Sequence, residues 1–359
     1  HGQRLRGRAM RGSGKLGMAL LLAALLVRPA AGSAEADIDW RAAGGHADLA
    51  AARAEARDSG RPLLLYFDAA WCSWCHRYER ETLSRARVQR VLRRETVPVR
   101  LDWDARADLV DRYGGRGLPF NVLLAPDGEV LRTFTGILAP GDLIALVRDI
   151  PAPEGREARA GRRPGPSLGR AAYRDFRAAF LDHLQRLYDP AVGTLAGRYA
   201  TGTGIKRAQP RTWLWLAEQA GWAERAARAA RVEARRLLDP LDGGFFYYVD
   251  LHRADAHRET AKLTEHNAWM AAWLAGASDA RTRRAALSGW FLLDAVLWDG
   301  GGGGFYRARI ADADYYHQPP AQRLSRPAPP VDRAKLADVN AEAALALLRF
   351  AERARRQQL

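Results

Sequence analysis

Only two of the 359 residues are cysteine, Cys72 and Cys75. Three positions apart, they can close one ring disulfide and little else. The same scarcity argues against structural zinc, because two cysteines and the adjacent His76 leave a tetrahedral site one ligand short. Lysine is nearly absent: Lys15, Lys206, Lys262 and Lys335 are the only four, and arginine supplies the rest of a formal charge of +15. The arginines are scattered over helices opposite Ala and Leu, which reads as a solvated face. A nucleic-acid surface needs a basic patch with aromatic stacking partners, and no such cluster is present, so no nucleic-acid partner is expected. No apolar run reaches the roughly 20 residues that span a bilayer; Leu16–Val27 is about half of that.

That run has its own meaning. A basic stretch precedes it (Arg4, Arg6, Arg8, Arg11, Lys15), and small residues from Ala30 to Ala36 follow. The order is that of a secretory signal peptide over residues 1–36, cleaved after Ala34 or Ala36. An uncleaved anchor is the alternative. No cysteine stands near the cleavage region, so a lipoprotein is not indicated. With His1 in first place, the natural start is expected at Met10. Removing residues 1–36 takes away six basic residues and Glu35, which lowers the charge to +10. The mature chain is expected to be exported and periplasmic, without stable membrane insertion.

Trp71-Cys72-Ser73-Trp74-Cys75 follows the apolar run 62–67, a buried strand, and precedes helix-forming sequence from His76 to about Arg94. A cysteine in the first turn of a helix faces unpaired N–H groups, which favour its thiolate. In such motifs the thiol pKa falls below its free value of about 8.5. The pattern predicts helix 46–58, strand 63–67, helix 75–94, strand 97–102, a short helix 105–113, strand 121–125, a Pro126-Asp127-Gly128 turn, strand 130–135 and helix 140–149. Strand–helix–strand order implies parallel pairing, and the tight turn implies a closing hairpin. This order resembles the thioredoxin fold, expected over residues 37–150.

The resemblance implies roles. Cys72 is the exposed attacking thiol and Cys75 the buried resolving one. Trp71, Trp74 and Pro119 bind substrate, with Pro119 in a cis-proline loop facing the disulfide. Thioredoxins carry a buried acid six residues before the first cysteine; here that position is Tyr66. Asp68 is expected on the other face of the strand, and Asp68 or His76 is expected to substitute in tuning the thiols. Cys72–His76 also fits a c-type haem attachment motif, but a haem needs an open crevice, and the motif sits between a strand and a helix. No cofactor and no metal is expected.

Residues 151–168, rich in Pro, Gly and Arg, read as a linker. Residues 169–359 turn all-helical, with helices near 171–187, 211–221, 223–238, 261–276, 280–297 and 333–354. Within them Leu237-Leu238-Asp239 leads into Asp242-Gly243-Gly244-Phe245-Phe246, and Leu292-Leu293-Asp294 into Asp299 and Gly304-Phe305-Tyr306. Ala261-Lys262-Leu263 with Asn267 recurs as Ala334-Lys335-Leu336 with Asn340. Such helical hairpins suggest an α/α toroid, here partial: either an incomplete barrel or a chain cut short after Leu359. Together with Trp74-Cys75-His76, Asp250, Asp312-Ala313-Asp314 and Pro330-Val331-Asp332, these pieces resemble the family of spermatogenesis-associated protein 20, which joins a thioredoxin domain to an α/α toroid. Where that family has Pro-His-Phe-Glu-Lys, this chain has Arg258-Glu259-Thr260-Ala261-Lys262, keeping only the lysine.

The function expected is thiol–disulfide exchange with a protein disulfide or dithiol and a redox partner. The alternative is a six-hairpin-glycosidase-like, carbohydrate-active or carbohydrate-binding toroid. Its candidate acids and bases are Asp239, Asp242, Asp250, His257, Glu259, Glu265, His266 and Asp299. Its candidate aromatic platform draws on Trp213, Trp215, Trp269, Trp273, Phe245, Phe246, Tyr247 and Tyr248.

Overall fold

A computed structural model describes residues 40–42, 46–149, 169–200, 202, 204–253 and 255–359. The expected signal peptide and linker lie outside the described residues. The first half runs β1 (Arg41–Ala42), α1 (His46–Ser59), β2 (Leu63–Asp68), α2 (Ser73–Tyr78), α3 (Ala86–Glu95), β3 (Val97–Asp102), α4 (Ala107–Tyr113), β4 (Phe120–Leu124), β5 (Val130–Thr135) and α5 (Pro140–Arg148). The sheet order is β1-β3-β2-β4-β5, with β1, β3 and β2 parallel and β4 and β5 antiparallel.

Every residue of β2 is buried, so the strand needs cover on both faces. Leu63, Leu65 and Phe67 pack with Leu49, Ala52 and Leu109 from α1 and α4. Leu64 and Tyr66 pack on the other side with Tyr78, Val88, Leu92 and Ile144. The helix expected over 75–94 is broken. After α2 a π turn spans Glu79–Leu83, and the chain is extended at Arg85 before α3 begins. Ser84 explains the break: its N–H donates to Glu79 O and its hydroxyl to Arg80 O, a side-chain–backbone competition that ends regular helix.

The second half contains α6 (Arg170–Leu187), α7 (Pro210–Leu216), α8 (Ala223–Leu237), α9 (Thr264–Leu274), α10 (Ala280–Leu292), the short α11 (Ala313–Tyr316) and α12 (Pro320–Leu324), and α13 (Ala337–Gln357). Helix α9 is its centre: all its residues but Glu265 are buried, and Trp273 stacks on Trp213 at 6.1 Å. The half is helix-rich but not all-helical. Two-residue strands interleave the helices: β6 (Tyr188–Asp189) with β7 (Thr194–Leu195), β8 (Tyr248–Val249) with β9 (Arg258–Glu259), and β10 (Lys262–Leu263) with β11 (Ala308–Arg309) and β12 (Val331–Asp332). Helix α9 starts three residues later than its periodicity suggests because β10 takes Lys262–Leu263, and α13 starts four residues later because the chain between β12 and α13 is irregular over 333–336.

The sequence echoes are one structural unit used twice. Lys262 Nζ donates to Asp239 and to Gly243 O, both at 2.6 Å. Lys335 Nζ donates to Asp299 at 2.5 Å and to Gly303 O at 2.7 Å. Asn267 clamps the backbone of Phe245 from both sides, as Asn340 clamps Phe305. Gly244 has φ +76°, and a Cβ there would strike Leu292 and Asn267, so the hairpin tolerates no side chain. A third hairpin, β6–β7, closes in the same way: Ala196 N–H donates to Leu187 O as Phe246 does to Leu237 O and Tyr306 to Leu297 O. It lacks the Gly-Gly-Phe signature, so its sequence gave no echo.

Candidate active site

Cys72 caps α2 in extended conformation, and its Sγ accepts the Cys75 N–H at 3.1 Å. The two cysteines are disulfide-bonded, with Cα atoms 5.3 Å apart. The Leu118–Pro119 peptide is cis, and Leu118 packs in the same apolar cluster as both cysteines. Local sequence therefore puts together the strand, the dithiol turn and the proline loop.

What lies over them comes from the other half. Ala261, Leu263, Ala308 and Ala311 complete the apolar cluster around Cys72 and Cys75. Cys72 is 2% exposed and Cys75 0%. This corrects the expectation of an exposed Cys72: the described residues from Trp40 to Leu359 belong to one compact unit, and the helical half covers the turn. The two tryptophans are likewise engaged rather than lining an open groove. Trp71 Nε1 donates to Asp104 at 2.8 Å, and its ring meets Tyr247 edge-on at 5.4 Å. Trp74 Nε1 donates to the Tyr248 hydroxyl at 3.0 Å, and its ring lies 4.3 Å from that of His257. Arg307, from the helical half and 4% exposed, bridges Asp102 at 2.7 Å, Asp104 at 3.2 Å and its own neighbour Asp332 at 2.5 Å.

Asp68 is placed differently from the expectation. Residues two apart in a strand share a face, and Asp68 joins Tyr66 there. Arg100 donates to Asp68 and bridges Glu79 at 2.8 Å; the Tyr66 hydroxyl donates to Glu79 at 3.4 Å. Burial raises the Asp68 carboxyl against the pull of Arg100, and burial lowers His76. Burial, helped by Asp68 and Glu79, pushes the Tyr66 phenol up.

The acid that does touch the dithiol turn is Glu259, which sequence reasoning associated only with a sugar site. Its carboxylate accepts the Ser73 N–H at 3.1 Å and the Ser73 hydroxyl at 2.6 Å. Burial, resisted by these hydrogen bonds, pushes its pKa up to about 7. The only sequence signal was its position in the stretch that departs from the family pattern.

The other candidates scatter. Asp239 and Asp242 share Arg323, Asp250 pairs with Lys206 and Asp299 with Lys335. Burial opposes ionisation of Asp239, but Arg323 and Lys262 outweigh it and hold the carboxyl below its usual range. Trp213, Trp273 and Phe245 are core. Glu265, His266 and Trp269 do share a cleft of about 140 Å³ with Arg207, Arg211 and Tyr247. Burial pushes Glu265 up to about 7 and His266 down to about 3. Among the described residues no three His, Cys, Asp or Glu side chains are grouped to hold a metal ion.

Comparison with known proteins agrees with the first half. A family profile described as thioredoxin-like matches residues 41–126. Human spermatogenesis-associated protein 20 is 31% identical over 90 residues, 23% of this chain and 11% of that protein. The thiol:disulfide interchange protein DsbD 1 of Pseudomonas aeruginosa is 36% identical over 97 residues, 25% of this chain and 16% of that protein. The chain thus matches well under a fifth of the length of either relative. Among solved structures, a thioredoxin from Thermus thermophilus is 26% identical with a TM-score of 0.27, covering 28% of this chain and 82% of that one. The C-terminal domain of Neisseria meningitidis DsbD in the reduced form is 23% identical with a TM-score of 0.28, covering 30% and 98%. The protein carries a thioredoxin-like domain with a Cys-x-x-Cys disulfide. It is a divergent thioredoxin-domain protein, with spermatogenesis-associated protein 20 among its relatives.

Proposed function

We propose that the protein is an exported thiol–disulfide oxidoreductase whose dithiol is covered by its own helical half. The observation that carries the reading is the Cys72–Cys75 disulfide at the turn after β2, packed with the cis-proline loop. In the reducing direction the Cys72 thiolate attacks one sulfur of a substrate disulfide. That S–S bond breaks, and the released substrate sulfur leaves with the electron pair and takes a proton. The Cys75 thiolate then attacks Cys72 Sγ, the mixed disulfide breaks, and the second substrate sulfur leaves and is protonated. Two electrons pass to the substrate, and a dithiol partner restores the pair by the reverse exchange. Since both sulfurs are buried, turnover requires the segment Glu259–Leu263 to withdraw from the turn.

The three hairpin units support reading the helical half as part of an α/α toroid, whose work is to cover the dithiol and dock a protein partner. Export rests on the signal-peptide pattern of residues 1–36 and is tested by fractionating cells that express the full chain. The activity is tested by catalysed reduction of insulin by dithiothreitol. Turnover by the full chain that is lost in both Cys72→Ser and Cys75→Ser supports it; equal rates in all three remove it. Cys75→Ser is expected to trap mixed disulfides through Cys72.

A second reading has one observation in its favour. Glu265, His266 and Trp269 share a cleft that combines a carboxyl poised near neutral pH with an aromatic wall, as a carbohydrate site requires. Saturable binding of a mono- or disaccharide that is lost in Glu265→Gln would promote it.

A further inference from the structure

Glu259 reaches the dithiol turn from the opposite half of the chain. Its Oε2 takes the N–H and hydroxyl of Ser73, and its Oε1 takes the Ala261 N–H at 3.3 Å. Ser73 directly follows Cys72, whose sulfur takes the Cys75 N–H of the same turn. Carboxylate and sulfur therefore draw on neighbouring donors of one turn, and every hydrogen bond that Glu259 accepts comes from a neutral group. Of the titratable groups around it, Tyr248 lies across the β8–β9 pair, His257 packs against Trp74 and Tyr248 on the same hairpin, and the two cysteines belong to the turn whose Ser73 it holds. In the disulfide form the cysteines carry no charge. Reduction adds thiols that can ionise, and two anions on one turn disfavour each other.

We propose that Glu259 is a positioning residue that sets the ionisation of the reduced Cys72–Cys75 pair, so that carboxyl and thiol release their protons in coupled steps. With Glu259 seated on Ser73 the thiol is held protonated; when the helical half withdraws, the Ser73 N–H is freed and the thiolate forms. The dithiol is thus armed by uncovering it. The burial that pushes Glu259 up to about 7 places this exchange at neutral pH. Its use in turnover rests on the oxidoreductase reading, but the coupling itself does not.

The test is a pH titration of the ultraviolet thiolate absorbance of the reduced full chain. Glu259→Gln is expected to lower the midpoint by about one pH unit, about tenfold more thiolate at a given pH below it, and Glu259→Asp to stay near the unaltered protein. A Gln variant whose curve overlays that of the unaltered chain overturns the proposal. Should the Gln variant fail to fold, Cys75→Ser with Glu259 kept still decides, because it leaves one thiol. A curve broader than a single proton step then reports a coupled carboxyl, and a single-site curve refutes the coupling. Insulin reduction is read separately: coupling without turnover would sink the oxidoreductase reading alone, and turnover without coupling would sink this inference alone.

Discussion

The two hairpin units share their bonds and differ in where the fold puts them. Lys262 and Asp239 are 0% exposed, whereas Lys335 and Asp299 are 32% and 23% exposed. Burial pushes Lys262 down to about 8 in spite of Asp239. The acids that close the units also correspond: Glu259 pairs in register with Tyr248 as Asp332 does with Ala308. Asp332 meets Arg307, which reaches on to Asp102 and Asp104; Glu259 meets Ser73 beside the disulfide. One local code thus supplies an acid near the thioredoxin-like half twice. Once it anchors the halves together, and once it touches the chemistry. The difference teaches that bond inventory does not rank importance; the surroundings of the bond do.

The largest effects should come from breaking the buried members. Lys262→Ala leaves Asp239 short of a partner in the interior and is expected to cost about 3–5 kcal/mol, read by urea unfolding, whereas Lys335→Ala should leave the midpoint nearly unchanged. Equal costs would dissolve the comparison. Arg307→Ala removes the tie shared by Asp102, Asp104 and Asp332 and should cost a similar amount. It should also speed alkylation of the reduced cysteines, because the cover loosens.

Glu259→Gln sharpens the comparison through pH. Burial pushes the folded carboxyl up to about 7 from its ordinary 4.5, so the folded state binds the proton more tightly. Below pH 4.5 both states hold it and nothing is lost; as pH rises through 7 the folded state loses stability that the amide variant keeps. The variant should gain on the unaltered protein by about 3 kcal/mol between pH 4 and 8, measured as the difference between two unfolding series. A pH-independent difference would contradict it. The smallest effect is at the clamps. Asn267→Ala, fully buried, should cost about 1–3 kcal/mol, and Asn340→Ala less.

Much of the first half was legible because its signals are local. The unbroken apolar run of β2, the Pro-Asp-Gly turn and the Trp-Cys-x-x-Cys spacing each dictate one element, and their order leaves one topology. The break at Ser84 escaped, since periodicity does not register a hydroxyl competing for backbone. The face of Asp68 was decided by the two-residue repeat of the strand, and its partner Arg100 came from the next strand. In the second half the helices were visible but the strands at their starts were not, because two residues carry no period. Glu259 was legible as an acid and not as a neighbour of Ser73, 186 positions away.

The sequence by itself determined that the chain has one dithiol, a strand to hold it, a proline loop to face it, and a repeated lysine–aspartate hairpin. These follow from residue type and short-range geometry. Only the tertiary structure decided that the dithiol is covered, which acid stands over it, and which of two like ion pairs lies in the interior. Those depend on where the helical half lands, and charge, burial and proton affinity are set by what a group faces rather than by its neighbours in the chain.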